Sequence, residues 1–119
     1  MNEQIFLGII LLHFLADFGL QTHEQSQRKS EDSRYLFFHV VVYSMIMGLG
    51  AFVYSGDLEL SLLFFFLTFG FHFATDFITS RIGKPFWEKK DFHNGFVVVG
   101  FDQVLHYIQL IYTFKLLFL

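Results

Sequence analysis

The sequence predicts an all-α, polytopic membrane protein, a bundle of four transmembrane helices, and three observations lead there. Of its 119 residues 54% are hydrophobic and only 16% are charged, less charge than an ordinary soluble domain carries. The apolar residues fall into four runs, about 5–21, 35–54, 58–79 and 96–118, each close to the ~20 residues that cross a bilayer. Seven of the eight Lys and Arg sit in two polar connections between those runs, the asymmetry that orients membrane proteins. With four spans and short connections the chain is one transmembrane domain, residues 1–119.

The first run carries His13 and Asp17 and opens on Met1-Asn2-Glu3-Gln4, which has no positive segment. It is therefore read as a retained span rather than a cleaved signal. Residues 22–34, THEQSQRKSEDSR, are polar throughout. The second run holds Ser44 and Gly48, a small-residue pair at helical spacing that marks close helix packing. Ser55-Gly56-Asp57 is a tight turn. The third run is followed by residues 80–95, with the only Pro, Pro85, and the only Trp, Trp87. This connection is read as a loop with a short interfacial helix, Phe86 and Trp87 at the headgroups and Lys84, Lys89 and Lys90 toward water.

Arg28, Lys29 and Arg34 lie in the first connection, and Arg81, Lys84, Lys89 and Lys90 in the third. The positive-inside rule places both in the cytoplasm and both termini outside, as in a multi-pass protein of the cytoplasmic membrane. His13-Phe14-Leu15-Ala16-Asp17-Phe18 and His72-Phe73-Ala74-Thr75-Asp76-Phe77 share the pattern H-F-x-x-D-F at equivalent places in spans one and three. A duplicated helical hairpin follows as an expectation.

Seven ionisable residues fall inside the spans: His13, Asp17, His39, His72, Asp76, Asp102 and His106. Charge within a membrane is costly unless paired, hydrated or neutralised, so such residues point to function. His13/Asp17, His72/Asp76 and Asp102/His106 are each four apart, and each pair shares a helix face. Tyr43 stands four after His39 and is a candidate auxiliary group that orients water or substrate. At ~1.5 Å per residue, Asp17, His39, Asp76 and Asp102 lie roughly 6–9 Å inside the cytoplasmic boundary, with His13, Tyr43, His72 and His106 one turn deeper.

The chain has no Cys, which excludes disulfides, thiolate metal sites and a Cys nucleophile. Imidazole with carboxylate suits a borderline divalent metal, Zn first, with Fe or Mn as alternatives. All seven residues are candidate ligands or their immediate supports. Three carboxylates, two divalent ions and one bridging hydroxide sum to zero, and one ion leaves a single negative charge, so one or two ions fit. Loop residues His23 and His93 are read as solvated.

At these residues the chain resembles a family of short bacterial and phage integral membrane proteins, Domain of Unknown Function 3307. The resemblance rests on HFLADFGLQ at 13–21, a basic linker, His39 with Tyr43, His72 with Asp76, a second basic loop and FDQVLHY at 101–107. It covers nearly the whole chain and implies a membrane protein without naming a reaction. A looser likeness, to small membrane proteins described as metal-dependent hydrolases, is analogy alone.

The function expected is a membrane-embedded metal-binding protein, read as a metal-dependent hydrolase of a lipid or another amphipathic substrate at the cytoplasmic leaflet. The alternatives are a metal-ion or proton transporter and a non-enzymatic membrane interaction protein with a purely structural polar cluster. The partners expected are the lipid bilayer and, as an option, further copies of the chain as a homo-oligomer; no nucleic acid is expected.

Overall fold

Each helix starts where a short polar side chain satisfies a free backbone N–H. In the computed structural model, which describes residues 1–119, Asn2 accepts from Ile5 N at 2.9 Å and begins α1, Glu3–Phe14. A five-residue π turn, Leu15–Gly19, continues it. Thr22 and Gln25 form a reciprocal capping box that starts the short α2, His23–Arg28. Asp32 caps α3, Ser33–Ser55, which ends at Gly56 in the left-handed conformation, φ 69°. Asp57 then accepts from Leu60 N at 2.9 Å to open α4, Leu58–Glu88. Asp91 caps α5, Phe92–Phe118. The chain has no strands, so the all-α fold class holds.

Three helices, not four, are long and apolar enough to cross a membrane: α3, α4 and α5. The first run falls short because its α-helix stops after 12 residues and passes into the π turn. The stretch 80–95 is not a loop. α4 runs through Pro85 to Glu88, only Lys89–Asp91 turn, and α5 begins at Phe92. Packing outweighs the proline there. Trp87 lies over Gly95, where an added Cβ would come within 2.9 Å of the indole, and reaches Gly83 of its own helix. At ~1.5 Å per residue the 31-residue α4 is about 46 Å long, longer than a hydrocarbon core of ~30 Å.

α4 packs along both α3 and α5, and α1 lies more lightly against α3 and α5. Gly48 allows the α3–α4 approach: a Cβ there would meet Phe65 Cβ at 3.1 Å. One end of the bundle is an apolar core of Ile9, Met47, Ala51, Phe64, Leu110 and Phe114, beside a cavity of about 450 Å³. The other end is polar, and there Lys84 Nζ on α4 meets Glu31 of the first linker at 3.1 Å. The two basic connections therefore share one end. Outward-facing Leu11, Val53, Phe66 and Leu116 are more than 60% exposed, part of an apolar girdle far larger than a water-soluble monomer tolerates.

Candidate metal centre

Between the apolar core and the polar end, the bundle buries a band of polar side chains. His13, Asp17, His39, His72, Asp76, Asp102 and His106 are all buried. They come from α1 and its π turn, from α3, from α4 and from α5. The three pairs four apart turn inward together, because a charged pair on the apolar outer side of any helix would be left without a partner. The π turn contributes to this convergence. It widens the helix after Phe14, so that Ala16 and Asp17 are buried while Leu15 and Phe18 stay exposed. Such turns recur at functional positions in helices.

Four of these residues converge as a tight group. His39 Nε2 lies 3.0 Å from Asp17 Oδ1 and 3.4 Å from Asp76 Oδ2. His72 Nε2 lies 3.5 Å from each of those two oxygens. The two imidazole nitrogens are 3.3 Å apart. All four donors, from Asp17, His39, His72 and Asp76, lie within 4.8 Å of one another and can hold a metal ion. A tetrahedral ion with bonds of about 2.0–2.1 Å sets its ligands about 3.3 Å apart. Five of the six edges, at 3.0–3.5 Å, fit that figure, and two imidazoles with two carboxylates suit a borderline divalent metal.

A second group adjoins the first and shares Asp17 with it: Asp17, Asp102 and His106. His106 Nε2 sits 3.0 Å from Asp102 Oδ2 and 3.3 Å from Asp76 Oδ1. Thr79 donates to the other oxygen of Asp102, which turns Oδ2 toward His106. The His72 ring is clamped between Tyr43, at a centroid distance of 3.8 Å, and His106 at 4.0 Å. Stacking therefore aims His72 Nε2, while its Nδ1 has no hydrogen-bond partner.

His13 stands apart from both groups. Its Nδ1 is 2.7 Å from the Tyr43 hydroxyl and its Nε2 is 2.6 Å from Gln103 Oε1. Both ring nitrogens are thus engaged, although Asp17 Oδ2 is also near, at 3.6 Å. Gln103 is a residue of the cluster that the sequence reading passed over. Its amide N–H2 donates to Asp102 at 3.0 Å and to Asp17 at 3.3 Å, tying α5 to the π turn. His23 and His93 are exposed, and neither belongs to the two donor groups.

Lys29 is the second residue that sequence reasoning missed. It follows α2 in the basic linker, where it counts as a topology signal, and it reaches back into the bundle. Its Nζ lies 3.0 Å from Asp76 Oδ2, with the side chain only 18% exposed. Burial works against its charge, but Asp76, Asp17 and Asp102 outweigh it and hold its pKa above the ordinary lysine value. No periodicity points to Lys29; the one available signal was an ammonium in a linker too short to stray far from three buried carboxylates.

A cavity of about 590 Å³ leads from the cluster to the polar end. Asp17, Asp76 and Asp102 form its floor, Ser26, Gln27 and Ser30 of the linker its rim, and Phe18 with Val98 an apolar flank. The arrangement has the donors to hold a cation at the inner end of this cavity.

The family model described as "Protein of unknown function (DUF3307)" matches residues 5–119. No curated protein matches the chain, and no solved structure does.

Proposed function

The chain belongs to the DUF3307 family, whose function is unknown, and from that premise we propose that it is a membrane-embedded metalloprotein that hydrolyses a lipid or another amphipathic substrate. One observation carries the metal reading: five of the six separations among the Asp17, His39, His72 and Asp76 donors match tetrahedral edge lengths. In this reading those four residues hold a divalent ion, Zn before Fe or Mn. Bound there, the ion would polarise an ester or phosphoester and lower the pKa of a water. Gln103 and Thr79 orient the carboxylates, and Tyr43 braces His72 and His13. The cavity, with its polar rim and apolar flank, fits a headgroup that keeps its tail in lipid.

The apolar girdle and the three long helices support a membrane location. We read Glu3–Gly19 as a fourth, short membrane segment, since its faces away from the bundle are apolar. With the two basic connections at one end, the positive-inside rule sets that end in the cytoplasm and both termini outside. Asp17 and Asp76 both face His39, at 3.0 and 3.4 Å, as two copies of one hairpin would arrange them. The cavity of about 450 Å³ at the opposite end is lined mostly by apolar side chains, Ile9, Met47, Phe64 and Phe114 among them, with no carboxylate or imidazole, which counts against a transport path.

The test is reconstitution into phospholipid vesicles loaded with zinc. Release of a cleaved lipid fragment, stopped by a chelator, is the expected result. Zinc flux across the vesicle without cleavage would replace the hydrolase with a transporter, and retained metal with neither activity would make the ion structural.

A further inference from the structure

The buried cluster holds three carboxylates, Asp17, Asp76 and Asp102. In a low-dielectric interior that charge must be balanced nearby. Without Lys29, the sum closes on two divalent ions and a hydroxide. With it, the sum is different: three carboxylates, one ammonium and one divalent ion already total zero when the histidines are neutral. Two ions beside Lys29 would leave one positive charge in excess even with the bridging hydroxide, and two without it.

The geometry agrees with the arithmetic. Asp76 Oδ2, the oxygen that faces His39 and His72, is the one Lys29 Nζ grips at 3.0 Å. The side chain is presented by ordered structure. α2 is locked by its capping box, Lys29 itself caps the helix end, and Glu31 two residues later ties the linker to Lys84 on α4. A place for a second ion exists in the adjacent donors of Asp17, Asp102 and His106, and the ammonium shares its carboxylates.

We propose that Lys29 is the centre's built-in second cation: the Asp17, His39, His72 and Asp76 group takes a single divalent ion, and the tethered ammonium stands in for another. This rests on the metal reading above and fixes its stoichiometry. It assigns the basic linker a part in the site beyond orienting the chain. It also makes Lys29 the residue that decides whether one ion or two can be held.

The experiment is zinc binding by the purified full chain in detergent, read as ions per chain at saturation by equilibrium dialysis and elemental analysis. Wild type is expected to hold one. Lys29→Met should rise to two, because its cluster then lacks a cation, while Lys29→Arg should stay at one. Lys84→Met loosens the same linker without removing the ammonium, and it too should stay at one. Circular dichroism and a monodisperse elution profile establish that each variant is folded. Two ions in wild type would overturn the proposal with no variant needed. One ion in both wild type and Lys29→Met would also overturn it while leaving the metal reading intact. No zinc in any variant would remove the metal reading itself, and this proposal with it.

Discussion

The hydroxyl of Tyr43 lies 2.7 Å from Nδ1 of His13, and this contact joins α1 to α3 at the level of the cluster. The same phenol ring stacks on His72. Tyr43→Phe keeps the stacking and removes the hydrogen bond, leaving a buried imidazole nitrogen without its partner. The expected result is a loss of about 1–3 kcal/mol in unfolding free energy with zinc stoichiometry unchanged. Denaturant unfolding in detergent measures the first and elemental analysis the second. A variant as stable as wild type but poorer in metal would move Tyr43 from brace to ligand support.

Metal retention should depend on pH in one direction. Imidazole must be neutral to ligate, so protons compete with the ion, and affinity falls as pH drops through the histidine range, about 7 to 5. Zinc retained per chain after dialysis across that range is the readout. Equal retention at both ends argues against His39 and His72 as ligands.

Ser26 lies exposed on α2 at the basic end. In oriented inner-membrane vesicles, Ser26→Cys should react with an impermeant thiol reagent from the cytoplasmic face only. The chain has no native Cys, so the signal has one source. Labelling from the outer face would invert the topology.

Much of the cluster was legible because helical spacing is a strong constraint. His72 and Asp76, four apart, had to share a face, and so did Asp102 and His106; the apolar residues around them left the interior as the place for charge. Gln103 was hidden by its neighbour. One position after Asp102, it points to the side, and only the nearness of the π turn gives it Asp17 and His13 as partners. The π turn itself left no trace, since His13-Phe14-Leu15-Ala16-Asp17 reads as ordinary helix. Lys29 left only a faint signal for a different reason: its reach depends on how α2 folds back, which no apolar period encodes. Pro85 was misread as a loop signal because the close fit of Trp87 on Gly95 is a contact between helices.

Asp76 is where the account is most exposed, since its two oxygens face His39, His72, Lys29 and His106. The deciding measurement is zinc content per folded chain in wild type and Asp76→Ala, purified side by side with fold checked by circular dichroism. The account predicts bound zinc in wild type and a loss of at least about tenfold in affinity for the variant, with the helices still formed. Zinc content per folded chain unchanged by the substitution, together with a bundle that assembles poorly, would contradict it and make the cluster a structural hydrogen-bond network.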